Sequence, residues 1–199
     1  SRLIVCDAVY DVFRAKLLDA VGALRVGDAD TDDFGPVIND RYLQAMLASV
    51  SRAEASGAAV IAGGMRLDGS EYRAGHYMAP TVIENVHPDA ELSQAELFGP
   101  ITVLYRVPDL QTAIELANNS RYGLTAAIHT RSLSRAHVFA QRLRTGVVSI
   151  NGGTFGSEPH LPFGGLRDSG TGFREAGTEA LDVYSEWKTI YTAFDPLAI

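Results

Sequence analysis

Short β-branched runs alternate with amphipathic helical stretches along this chain, and that alternation narrows the possible folds more than any other feature. Leu3-Ile4-Val5 reads as a strand, and a helix with Tyr10, Phe13, Leu17 and Val21 on one face follows, with Asp7 as its expected cap. Asn39 starts a second helix whose apolar stripe is Leu43, Met46, Leu47 and Val50, and Gly57 is its expected stop. Further strands are expected at 59–62, from 79 to 83, and at 101–107, 125–129 and 147–150. Helices are expected at about 109–119 and from a Ser132 cap to 144. The run Val147-Val148-Ser149-Ile150 is almost wholly apolar, which predicts burial on both faces. Strands separated by helices of this length argue for βαβ crossovers, hence an α/β fold with a mostly parallel sheet and flanking helices.

Two stretches depart from the alternation. Gly63-Gly64 reads as a turn, and 65–75 is polar and turn-rich, as in a hairpin or surface excursion. From 151 to 172 glycines fall at 152, 153, 156, 164, 165, 170 and 172, which predicts a long irregular loop. Phe155, Leu161 and Phe163 within it argue against disorder. A short helix is expected at about 178–184. The tail from Trp187 to Phe194 reads as a C-terminal edge strand that needs a partner.

Composition excludes several classes. The 199 residues carry a net charge of −7, and the 17 Lys and Arg are scattered, so no basic footprint for nucleic acid is present. No apolar run is long enough to span a bilayer, which leaves no expected membrane partner. The single cysteine rules out an internal disulfide framework and a Cys-rich metal site. The opening residues show no leader pattern, and a cytoplasmic location is the expectation. A strand that begins only two residues in predicts that the protein continues upstream.

Glu96-Leu97-Phe98-Gly99-Pro100 places a carboxylate and a ring on a loop at the mouth of a strand. Taken alone, the pentapeptide favours a surface acid and a core ring over a binding loop. Gly164-Gly165 and Gly170-x-Gly172 do not fit G-x-G-x-x-G, so a phosphate cradle is rejected. His76, His87, His129, His137 and His160 form no metal-ligand spacing, and no metal is expected. His160 reads as an exposed loop residue. Cys6, between a strand and a helix, favours an inert structural role, although a helix N-terminus lowers thiol pKa. No serine sits in G-x-S-x-G.

An ordered set of segments is more specific than any one of them. It comprises Ser1-Arg2-Leu3, Gly35-Pro36, Gly57-Ala58 leading to Gly63-Gly64, Pro80-Thr81, Glu96-x-Phe98-Gly99-Pro100, Asn118 with Tyr122-Gly123-Leu124, and Gly146-x-Val148-x-Ile150-Asn151. Pro162-Phe163-Gly164-Gly165, Ser169-Gly170-x-Gly172, Arg174-Glu175 and Lys188 complete it. In order and spacing this set resembles the C-terminal, catalytic-domain part of the NAD(P)-dependent aldehyde dehydrogenase superfamily, over essentially the whole chain. The resemblance implies oxidation of a small-molecule aldehyde to a carboxylic acid through a thiohemiacetal and thioester, with NAD or NADP as cofactor.

Residue by residue, the resemblance implies that Glu96 binds the nicotinamide ribose and Phe98 packs near the nicotinamide ring. It implies that Phe155, Leu161 and Phe163 line the aldehyde channel. Asn151 would tie the loop down, and Gly164-Gly165 would allow close backbone approach. Most of the cofactor would be held by an N-terminal domain absent from this chain. The family's nucleophilic cysteine precedes the Ser-Arg-Leu segment, so Cys6 is not that cysteine, and no catalytic residue is assigned here. Where the family often has Gln and Lys after Gly-Pro, this chain has Tyr42 and Ala45, and Phe173 lengthens the S-G-x-G-R-E run.

The expected division is a partial catalytic domain, 1–186, and a tail, 187–199, able to act as an oligomerisation element. The intact protein is expected to be a homo-oligomer, and the chain alone to be inactive. The alternative is a non-catalytic assembly or binding module pairing through its C-terminal strand. A chance match by an unrelated doubly wound protein ranks last.

Overall fold

The computed structural model describes residues 1–193. It divides into two compact units, residues 1–121 with 137–143, and residues 122–136 with 144–193.

The first unit is built on a four-stranded sheet in the order β1-β4-β3-β2. Its strands are β1 (Arg2–Cys6), β2 (Ala59–Ala62), β3 (Thr81–Glu84) and β4 (Ile101–Val107). β1 and β3 both run parallel to β4, with Leu3 opposite Leu104 and Val82 opposite Thr102. β2 alone is antiparallel, pairing with β3 across a bulge at one edge. The mostly parallel sheet is therefore observed.

Alternation along the strands splits the core in two. Leu104, Val82 and Val5 point to one face, where Tyr10, Leu17 and Val21 of α1 (Asp7–Gly22) cover them. Val103, Tyr105, Val107 and Ile83 point to the other. There they meet Leu43, Met46 and Val50 of α2 (Asp40–Ala55) and Leu116 of α4 (Leu110–Asn118). Each such side chain, once fully buried, contributes about 1.5–3 kcal/mol. The Asn39 cap is observed, its side chain accepting from the Tyr42 N–H at 3.0 Å, and Gly57 closes the helix region at φ 94°.

Two local expectations are corrected. Cys6, not Asp7, is the N-cap of α1, because β1 runs straight into the helix without a linker. Asp7 instead sits in the first turn, where a negative charge suits the helix dipole, and it accepts from Arg106 Nε at 2.7 Å. Phe13 is 37% exposed rather than on the buried face.

In the second unit β5 (Thr125–Ile128) and β6 (Val147–Ile150) form a parallel two-stranded sheet, with Ala126 opposite Val148. α5 (Leu133–Arg142), between them in sequence and assigned to the first unit from residue 137 onward, starts at Ser132, whose Oγ accepts from the Arg135 N–H. The expected two-sided burial of β6 is not observed: Val147 to Ser149 are half-buried and Ile150 is 45% exposed. Among the described residues β5 is the strand paired with β6.

The stretch 151–172, expected to be a long irregular loop, is one, apart from a 3₁₀ turn at Arg167–Ser169; the irregular path continues to 177, and a second 3₁₀ turn (Thr178–Ala180) leads into α6 (Leu181–Tyr184). The described part of the expected edge strand, 187–193, is not a strand. A strand requires a neighbour's backbone groups, and none is supplied to this segment among the described residues. Phe194, the end of that expected strand, lies outside the described residues.

Candidate functional site

The Glu96–Pro100 loop follows directly from the short helix α3 (Glu91–Gln94) and enters β4. Three anchors fix it. Leu97 packs against the core, the Pro100 carbonyl accepts from the Thr81 N–H at 2.8 Å, and Gly99 lies on the side chain of Met46. A Cβ on Gly99 would overlap Met46 Sδ and lie 2.6 Å from its Cε, so a larger residue here would push aside the flexible end of the Met46 side chain.

Between these anchors Phe98 is held at φ 53° with its side chain 81% exposed. The left-handed region costs a non-glycine residue about 1–2 kcal/mol. The core-ring reading of Phe98 is thus overturned: the ring is turned outward at a cost to the backbone. Glu96 is exposed as well, and among the described residues its carboxylate makes no hydrogen bond or ion pair. An unengaged carboxylate and an outward ring on one anchored loop can accept hydroxyl donors and offer a flat apolar surface.

The loop lies beside the start of β1. The Ser1 nitrogen is 3.2 Å from the Ile101 carbonyl, and the Val103 N–H donates to the Ser1 carbonyl at 3.0 Å. Arg2 turns away to the end of α4. There its guanidinium donates to the carbonyls of Leu116, Ala117 and Asn119 at 2.9–3.0 Å, satisfying groups that the helix leaves open.

In the second unit Gly123 organises the long loop. Its carbonyl accepts from the Gly146 and Leu166 N–H groups, and its N–H donates to Ser169 Oγ at 3.2 Å. Phe163 and Glu175 exchange two backbone hydrogen bonds of 2.7 Å, closing the loop on itself. Gly165 sits where a Cβ would overlap Ser169, a close backbone approach as expected for this glycine pair. Asn151 ties the loop to the end of β5: its Oδ1 accepts from the Thr130 N–H and its own N–H donates to Ile128, both at 2.8 Å. On this frame Phe155 is 88% exposed, Leu161 is 52% exposed and Phe163 is half-buried.

Glu96 and Phe98 thus share one loop of the first unit, and Phe155, Leu161 and Phe163 share one loop of the second. Sequence reasoning missed the contacts of α2 with this segment: Arg52 and Ser49 hydrogen-bond Glu91, and Met46 lies against Gly99. Cys6 caps α1 without a side-chain hydrogen bond and is half-buried. Among the described residues no group of three His, Cys, Asp or Glu could hold a metal ion, and no helix is long and apolar enough to cross a membrane.

The aldehyde dehydrogenase family model matches residues 1–190. An alpha-ketoglutarate semialdehyde dehydrogenase of Haloferax volcanii is 38% identical over 195 residues, 98% of this chain and 40% of that protein. A benzaldehyde dehydrogenase (NAD+) of Pseudomonas putida is 39% identical over 191 residues, 94% of this chain and 38% of that protein. Among solved structures, a betaine aldehyde dehydrogenase from Staphylococcus aureus in complex with NAD+ matches with a TM-score of 0.87 at 33% identity. The match covers 92% of this chain and 37% of that one. The chain spans about two fifths of the length of the curated relatives it matches.

Proposed function

Because this chain belongs to the aldehyde dehydrogenase family, we propose that it is the part of an NAD(P)-dependent aldehyde dehydrogenase that holds the nicotinamide end of the cofactor and lines the aldehyde's path. Glu96 would accept hydrogen bonds from the two hydroxyls of the nicotinamide ribose. Phe98 would limit the positions open to the ring. When bound, the cofactor supplies the hydride acceptor. Phe155, Leu161 and Phe163 would form apolar walls that favour an aldehyde with a hydrophobic portion and restrict water. The two relatives named with NAD+ favour NAD.

The observation that carries this reading is the register of β1 on β4. Arg2 lies opposite Val103, so continuing the register upstream brings the residue before Ser1 to Ile101 and the one before that to Pro100. A nucleophilic cysteine a few residues upstream would therefore run beside the Glu96–Phe98 loop. Its thiolate would attack the aldehyde carbonyl, and a base from the rest of the protein would activate water to release the acid from the thioester. This chain holds neither group, and with NAD and a panel of aldehydes it should show no turnover. Turnover by the chain alone would overturn this reading and return attention to Cys6. In the full-length protein, Glu96→Gln should weaken cofactor binding or slow hydride transfer at an unchanged unfolding midpoint. A changed midpoint with unchanged cofactor handling would reduce Glu96 to a structural residue.

The second reading concerns assembly, and the tail favours it. Trp187, Ile190 and Tyr191 are 97%, 75% and 93% exposed, in a segment with unpaired backbone among the described residues. Pairing of residues 187–199 with another copy would cover both. Light scattering decides: a monodisperse monomer at high concentration counts against it.

A further inference from the structure

One helix brackets both ends of the segment that carries Glu96 and Phe98. At its start, Arg52 of α2 grips Glu91, the first residue of α3. Arg52 Nη2 donates to Oε1 and Nε donates to Oε2, at 2.8 and 3.0 Å. Ser49 Oγ, in a residue only 2% exposed, donates to the same carboxylate at 2.8 Å and accepts from Arg52 Nη2 at 2.9 Å. At the far end, Met46 of the same helix lies under Gly99. Met46, Ser49 and Arg52 recur every three residues, winding from the buried face of α2 to its exposed flank over about 9 Å of its length.

We propose that Arg52, Ser49 and Met46 are positioning residues for the cofactor-holding loop, setting the reach of Glu96 and Phe98 through α3 without touching the cofactor. The role rests on the reading of that loop given above. A forked guanidinium on a carboxylate fixes direction as well as distance, and the buried hydroxyl beside it keeps the fork from rotating. Hydrogen bonds from Arg52 and Ser49 hold the Glu91 carboxyl below the ordinary range. α3 has only one turn, Leu92 and Ser93 in it are buried, and Glu96 follows Gln94 after a single residue. A shift of Glu91 is therefore passed to Glu96 with little slack. The Phe98 conformation depends on the Met46 support beneath Gly99 in the same way.

The test uses the full-length protein, with NAD varied at saturating aldehyde and an aldehyde varied at saturating NAD. Arg52→Gln should raise the KM for cofactor by about three- to tenfold, leaving the KM for aldehyde unchanged. Arg52→Lys, which keeps the charge and loses the fork, should restore only part of that affinity. The double variant Arg52→Gln/Glu96→Gln should weaken cofactor binding by less than the product of the two single effects, because Arg52 acts in part through Glu96. A merely structural clamp would raise both KM values together and add to the effect of Glu96→Gln, and either result overturns the proposal. If Arg52→Gln does not fold, Ser49→Ala removes one hydrogen bond to Glu91 and should give about a twofold rise in the cofactor KM alone. An unchanged cofactor KM in Arg52→Gln or Ser49→Ala, beside a changed one in Glu96→Gln, removes the positioning role and leaves the loop's function standing. No effect of Glu96→Gln itself removes the underlying reading, and the positioning role with it.

Discussion

A Cβ on Gly146 would overlap the carbonyl oxygen of Gly164, so two glycines far apart in the chain fix the path of the long loop by backbone contact alone. Gly146 also donates its N–H to Gly123, which anchors Leu166 and Ser169 of the same loop. A methyl group at Gly146 cannot be accommodated by rotating a side chain, because the obstruction is backbone. Gly146→Ala should cost about 1–3 kcal/mol of stability, as overpacking does. It should also expose the 151–177 loop to protease. An unchanged denaturation midpoint with an unchanged digestion pattern would show that the loop takes its path from other contacts.

Tyr10, Glu84 and Arg14 make stability depend on pH at both ends of the scale. Tyr10 Oη donates to Glu84 Oε1 at 2.5 Å, and Arg14 Nε donates to the same oxygen at 2.7 Å. Burial and the hydrogen bond to Glu84 push the Tyr10 phenol up to about 12. A raised folded value favours the protonated fold, so this stability is complete below the unfolded phenol's pKa near 10 and is lost as pH rises from there toward 12. The loss is on the order of 2 kcal/mol, and Tyr10→Phe should abolish it. Burial opposes ionisation of Glu84, but the hydrogen bonds from Arg14 and Tyr10 outweigh it and hold the carboxyl below its ordinary range. That contribution is present above the unfolded carboxyl's pKa and fades as pH falls through the folded value. Denaturant titrations of wild type and Tyr10→Phe across pH 9–12 check the alkaline limb. Parallel slopes in the two proteins would contradict it.

The elements were legible in the residues because their signals are local. Apolar patterning marked the six strands found among the described residues, and Asn39 and Ser132 marked helix starts with side chains that do cap them. The strand order β1-β4-β3-β2 was not legible, since pairing β1 with β4 joins segments about a hundred residues apart. The clamp on Glu91 was hidden for the same reason: it reaches 39 residues along the chain, and Glu91 reads locally as a solvated acid. The loop itself was named only by resemblance. Ligands of open α/β sheets gather at the carboxyl ends of strands, whereas Glu96–Pro100 and Ser1 sit at the amino ends of β4 and β1. The carboxyl ends of β1 and β3 are closed by α1 and the Tyr10–Glu84–Arg14 cluster.

Phe98 separates stability from function. Its ring is 81% exposed, so it contributes little by burial, and its backbone at φ 53° is strained by about 1 kcal/mol or more. Asparagine tolerates the left-handed region far better than phenylalanine. Phe98→Asn should therefore leave stability unchanged or raise it by about 0.5–1 kcal/mol in this chain, measured by thermal unfolding. In the full-length protein the same substitution should weaken cofactor handling, because the ring is the one large apolar surface the Glu96–Pro100 loop turns outward. A destabilised Phe98→Asn chain would mean that the ring supports the fold after all. A variant with unchanged cofactor affinity and unchanged hydride transfer would remove Phe98 from the site and leave Glu96 as its sole member on this loop.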